Sequence, residues 1–135
     1  MKITVERLVK APIDDVWNAY TTPEDIMAWN AASDDWHTTS SRVDLRPGGE
    51  FSSRMEAKDG SFGFDFAGAY NTVEYGKLIG YSMGDREAVV EFNQQDDGVL
   101  VRVIFDAEGQ NPIEMQRDGW QAILDNFGRH VEAKG

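Results

Sequence analysis

Apolar and polar positions alternate over Ile3-Thr4-Val5-Glu6-Arg7-Leu8-Val9, which predicts a first strand over residues 3–9. The period then lengthens. Ile13, Val16, Trp17 and Tyr20 recur at helical spacing on one face. Pro12 fits the first helical position, where its missing N–H costs nothing, and Asp14 and Asp15 sit in the first turn, where the helix dipole favours acids. Thr22-Pro23-Glu24-Asp25 repeats the start signal, so a second short helix should run to about Trp29.

A long stretch of strand pattern follows. Val43 and Leu45 alternate before the turn Pro47-Gly48-Gly49, and Phe51, Ser53 and Met55 alternate with Glu50, Ser52, Arg54 and Glu56. Asp59-Gly60 and Asp97-Gly98 are hairpin signals. Phe62, Phe64, Phe66, Gly68 and Tyr70 share one parity, Leu78–Met83 and Ala88–Phe92 read as two more strands, and Val99, Val101, Val103 and Phe105 form an unbroken apolar face.

The last element is a helix over residues ~112–132. Asn111-Pro112-Ile113-Glu114 reads as a cap, a Pro at the first position and a Glu at the third. Ile113, Trp120, Ile123, Leu124, Phe127 and Val131 lie on one broad apolar face, interrupted by Gly119 and Gly128, which suggest close packing or a pocket floor. The order is strand, two short helices, about six antiparallel strands and one long helix. Both the inner sheet face and the apolar helix face must be buried, and packing one on the other satisfies both. The expected class is α+β, a curved antiparallel sheet wrapped around the C-terminal helix, with space left where the helix cannot fill the concavity.

Composition narrows the chemistry. At 135 residues the chain suits one domain, 1–135, with a real core. It has no cysteine, so disulfides, thiolate nucleophiles and cysteine-held metals drop out, and two histidines, His37 and His130, make a poor metal set. The net charge of −11 repels phosphate backbones and anionic membrane surfaces. It does not oppose a small ligand in a secluded pocket. No apolar run approaches the ~20 residues that span a bilayer, and Met1-Lys2-Ile3-Thr4-Val5-Glu6 lacks the apolar stretch of a signal peptide, so a cytoplasmic location is expected.

Several segments in this order resemble the START-related helix-grip superfamily, also called SRPBCC, which includes the birch pollen allergen and polyketide cyclases. They are Ala11-Pro12 with Val16-Trp17, Trp29, Asp44-Leu45-Arg46-Pro47-Gly48-Gly49 leading into Phe51, Gly68-Ala69-Tyr70, Asp85-Arg86, and Gly119-Trp120 with Leu124 and Phe127. More narrowly the chain resembles the bacterial branch related to the C-terminal domain of the activator of the ninety-kilodalton heat-shock ATPase. The resemblance covers essentially the whole chain and implies the helix-grip fold. The superfamily hosts ligand carriers, cyclases, oxygenase domains and co-chaperones on that scaffold, so function must be argued from the site.

The aromatic set is the main functional signal. By strand parity Phe51, Phe62, Phe64, Phe66, Tyr70, Tyr81 and Phe92 face the helix with Met55 and Met83, and Trp120, Ile123 and Phe127 face them from the helix. A cavity bordered by Tyr70, Tyr81, Met83, Trp120 and Phe127 is expected, with tyrosine hydroxyls as polar handles. Trp29, Asp34, Asp35, Trp36 and His37 form a second cluster. Parity counted back from Leu45 and Val43 turns Ser41, Thr39 and His37 inward, so His37 becomes a candidate to bind a ligand oxygen or move a proton, unless a bulge reverses the parity. Arg86, after Gly84-Asp85, reads as half of a hairpin salt bridge, with closing a pocket or holding an acidic ligand as its other role. Glu91 and Asp65 fall on the outward parity, and His130 suits the C-terminal end of its helix. No Gly-x-Ser-x-Gly elbow, dinucleotide fingerprint or Walker A loop is present, so no catalytic residue, cofactor or metal is assigned. The leading expectation is binding of a small hydrophobic or amphipathic molecule between sheet and helix. The alternatives are a protein-interaction module, with a protein partner or homodimer, and a cyclase or hydrolase using the same cavity.

Overall fold

The computed structural model describes residues 1–134. Its elements are β1 (Lys2–Val9), α1 (Ile13–Thr21), α2 (Pro23–Trp29), β2 (Trp36–Val43), β3 (Glu50–Ala57), β4 (Gly63–Glu74), β5 (Leu78–Met83), β6 (Arg86–Gln95), β7 (Gly98–Asp106) and α3 (Ile113–Lys134). The strands form one seven-stranded antiparallel sheet in the order β1-β7-β6-β5-β4-β3-β2. This is the α+β helix-grip architecture expected from the pattern. Leu45 falls beyond β2, in the turn before β3.

Alternation explains the layering. On the inner face β1 presents Ile3, Val5 and Val9, β7 presents Val99, Val101, Val103 and Phe105, and β6 presents Ala88, Val90 and Phe92, all buried. The register pairs Ile3 with Phe105, Val5 with Val103 and Val90 with Val103, so these side chains meet directly across strands. Two register shifts, between Thr38 and Ser40 and between Tyr70 and Thr72, bend the β2–β5 half of the sheet.

The long helix does not lie centrally over the sheet. Among the strands α3 packs chiefly on β1. Arg7, on the inner parity of β1, straps it there: its guanidinium donates to the Asp125 carbonyl at 2.6 Å and to Glu132 Oε1 at 2.9 Å. Glu132 also accepts the Lys10 backbone N–H. Gly128 is the reason the strap fits, because a Cβ at that position would overlap the Arg7 guanidinium. Gly119 has no neighbour that a Cβ would meet, so close packing does not explain it. The Asn111 side-chain amide bonds Glu108; it is Gln116 that clasps the approach to α3, accepting the Glu108 N–H and donating to the Glu108 and Asn111 carbonyls.

The short helices close the other flank. The Trp29 indole N–H donates to the Ala19 carbonyl at 2.9 Å, which fixes α2 against α1, and neither helix start carries a side-chain cap bond. Asp25 of α2 reaches α3: its Oδ1 lies 2.6 Å from Lys134 Nζ and 2.8 Å from His130 Nε2. Burial pushes the Asp25 pKa up, but hydrogen bonds from Lys134 and His130 outweigh it, and the net value is lowered. A lowered folded-state pKa stabilises the fold above the unfolded carboxylate value, and that contribution is lost as pH falls through the folded value. Asp25→Asn should therefore cost about 1–2 kcal/mol at neutral pH. Urea melts across the acid range should show the wild-type advantage shrinking as pH drops. A constant difference would show that the ion pair is not its source.

Candidate functional site

Because α3 leans on β1 while the sheet curls away over β3–β5, space remains between them. A cavity of about 380 Å³ fills it. Each wall comes from a different element. β3 supplies Phe51, Ser53 and Met55, β4 supplies Phe64, Phe66 and Tyr70, and β5 supplies Ile79 and Tyr81. α3 supplies Gln116, Trp120, Ile123 and Leu124. Tyr20, Ile26, Trp29 and Asn30 close the side formed by the short helices, and Arg86, Val103, Glu108 and Asn111 complete the lining.

The rings hold one another in place. Phe51 packs at 5.1 Å from both Tyr70 and Tyr81, and edge-on to the latter. Phe66 meets Tyr81 and Trp120 edge-on. The Trp120 indole stacks on Phe105 at 3.9 Å with its plane tilted by only 10°. Gly68 lets Phe51 lie flat on the sheet: a Cβ there would crowd the Phe51 ring and overlap the Ser82 carbonyl of β5. The cavity wall is thus a braced set of aromatic faces, suited to dispersion contacts with an apolar body.

Its polar points are few. Burial, then the neighbouring Tyr70, drives the Tyr20 pKa far up, and Tyr81 is raised in the same way by burial with help from Tyr20 and Tyr70, opposed by Arg86. Tyr70 is pushed up to about 12 by burial and by Asp44. All are neutral O–H groups at physiological pH. No hydrogen bond from the described residues reaches these hydroxyls, yet no buried polar side-chain atom is left without a partner, so the hydroxyls open onto the cavity.

Of the residues expected from sequence, Trp29, Phe51, Met55, Phe64, Phe66, Tyr70, Tyr81, Trp120 and Ile123 come together on this lining. Met83 and Phe127 do not. Both are buried, and Phe127 packs edge-on against Tyr20 and Trp29 behind the cavity wall. His37 lies elsewhere, in a more open recess with Trp36, Lys58 and His130. The cause is the bulge at Thr39: it leaves Ser41 opposite Ser53 but turns Thr38 inward opposite Met55 and His37 outward. Phe62 precedes β4 and is 63% exposed, packed edge-on to Trp36. Tyr20, Ser53 and Gln116 line the cavity in addition to the residues expected there. Ser53 had a signal, since it lies on the parity of Phe51 and Met55. Arg86 is in none of the ion pairs among the described residues, so the hairpin salt bridge expected for it does not form. Among the described residues no cluster could hold a metal ion, and no helix is long and apolar enough to cross a membrane.

Comparison with known proteins agrees with this architecture. The model of a family described as "Activator of Hsp90 ATPase homolog 1-like protein" matches residues 10–132. The solution structure of an AHSA1-like protein from Aeromonas hydrophila is 49% identical, with a TM-score of 0.94 over 100% of this chain and 94% of that one. A Cytophaga hutchinsonii protein is 43% identical, with a TM-score of 0.84 over 98% of this chain and 93% of its own. A Nitrosomonas europaea protein shares the fold at 22% identity, with a TM-score of 0.87 over 99% of this chain and 96% of its own. No curated protein matches the chain.

Proposed function

Given that the chain belongs to the activator of Hsp90 ATPase homolog 1-like family, we propose that it binds a small apolar or amphipathic molecule in the cavity between sheet and α3. One observation carries this reading: a cavity of about 380 Å³ walled by braced aromatic rings, into which tyrosine hydroxyls open. Ligand sites are concave, mostly apolar and equipped with a few placed polar groups. The volume suits a molecule of lipid-fragment or small polycyclic size. The setting is a cytoplasmic protein whose acidic surface keeps it from nucleic acid and anionic membranes.

A second reading, a protein-interaction module, rests on a different feature. Phe62 and Phe64, both exposed, and the half-buried Trp36 form an aromatic cluster, with ring centroids 5.9–6.5 Å apart. Phe64 also lines the cavity, so the cluster serves equally as the cavity's rim. A cyclase or hydrolase would need an acid/base inside. The tyrosines there hold their protons tightly and act as hydrogen-bond donors, and His37 lies outside.

The test uses N-phenyl-1-naphthylamine, a neutral dye that brightens in apolar surroundings. Saturable binding with quenching of tryptophan emission is the expected result. Absence of saturable binding by folded protein would contradict the cavity reading. Native mass spectrometry of freshly purified protein, expected to show an adduct of small mass, gives an independent check.

A further inference from the structure

We infer that the ligand carries one anionic head group, such as a carboxylate, held by Arg86 beside the Tyr81 hydroxyl. This deepens the binding reading above and rests on it. Arg86 alternates with the buried Ala88, Val90 and Phe92, so it stands on the inner face of β6 and not on the charged outer one. It lies two residues from Ala88, the cross-strand partner of Tyr81, and its charge is felt at the Tyr81 hydroxyl. Among the described residues it is the one cationic side chain on the cavity lining.

What makes this placement informative is that no anion among the described residues meets it. The chain has 24 Asp and Glu against 13 Lys and Arg, so a carboxylate partner was statistically easy to supply. The other inward arginine, Arg7, is fully engaged by Glu132 and Asp125. Arg86 has no such partner among the described residues. Glu108 is the one acidic residue on the lining, and its Oε1 is occupied by the Asn111 backbone and side-chain N–H groups. A guanidinium presents a planar fork that matches a carboxylate, and a neutral tyrosine O–H donates a further bond. The aromatic wall then takes the apolar remainder. Cation and hydroxyl together favour an amphipathic acid over an uncharged apolar molecule of the same length.

The experiment loads the protein with N-phenyl-1-naphthylamine and displaces it with dodecanoic acid or with dodecan-1-ol, at neutral pH and below micelle-forming concentrations. The acid should compete at least about tenfold better than the alcohol, as a charge-assisted contact predicts. Arg86→Gln should remove that preference, read as the ratio of acid to alcohol competition within each variant so that any change in dye affinity cancels, while leaving thermal unfolding unchanged, and Arg86→Lys should keep part of it. Equal competition by acid and alcohol in the wild type overturns the head-group inference and leaves the cavity reading intact. An acid preference that survives in Arg86→Gln overturns it as well. Failure of the dye itself to bind removes the reading on which both rest.

Discussion

Phe127→Ala should lower the unfolding free energy by about 3–5 kcal/mol, the range for truncating a fully buried ring. Phe127 has no exposed surface. It sits where three elements meet, edge-on to Tyr20 of α1 and Trp29 of α2 at centroid distances of 5.0 Å. Removing it from α3 loses the transfer energy of the ring and two aromatic contacts, and leaves a void that the surrounding rings fill only in part. The strap from Arg7 and the Asp25 ion pairs hold α3 from both sides, which restricts collapse onto the void. Urea melts would measure the loss. A loss under about 1.5 kcal/mol would show that the site can collapse and that α3 is anchored elsewhere.

Trp120→Ala should behave differently although it lies on the same helix face. Its indole is only half-buried, with one side stacked on Phe105 and another bordering the cavity. A side chain that already faces a void has fewer contacts to lose. The expected cost is about 2–3 kcal/mol, below the usual range for a packed Trp. The functional effect should exceed the structural one. Loss of an aromatic wall worth about 1 kcal/mol weakens dye binding severalfold. Val101→Ala is the matched comparison: Val101 is fully buried on β7 and does not reach the cavity. It should lower stability and leave dye affinity unchanged. Equal effects of the two substitutions on the dye would mean that Trp120 is ordinary core.

The contrast between these residues shows where sequence reading reaches its limit. Alternation along β3, β4 and β5 placed Phe51, Met55, Phe66 and Tyr81 on the inner face, because side-chain direction in a strand follows a local period of two. The same rule failed at His37, where one extra residue at Thr39 reversed the parity. Nothing in Ser40-Ser41 or Thr38-Thr39 announces that bulge. On α3, helical period grouped Trp120, Ile123 and Phe127, but which of them meets the cavity depends on the helix leaning on β1. That lean is set by Arg7, which lies 118 residues away from Asp125 in sequence. Helical spacing puts Tyr20 on one face of α1 with Val16 and Trp17, and it becomes a cavity wall for the same nonlocal reason. Arg86 is legible by parity with Ala88 and Val90; what sequence could not show is that Asp85 and the other described acidic residues do not pair with it.

Intermolecular nuclear Overhauser effects between dodecanoic acid and isotope-labelled protein test the central claim most directly. The account predicts contacts from the alkyl chain to the rings of Phe66, Tyr81 and Trp120, which meet edge-on in the cavity wall. Contacts confined to Trp36 and Phe62, which do not line the cavity, would contradict it.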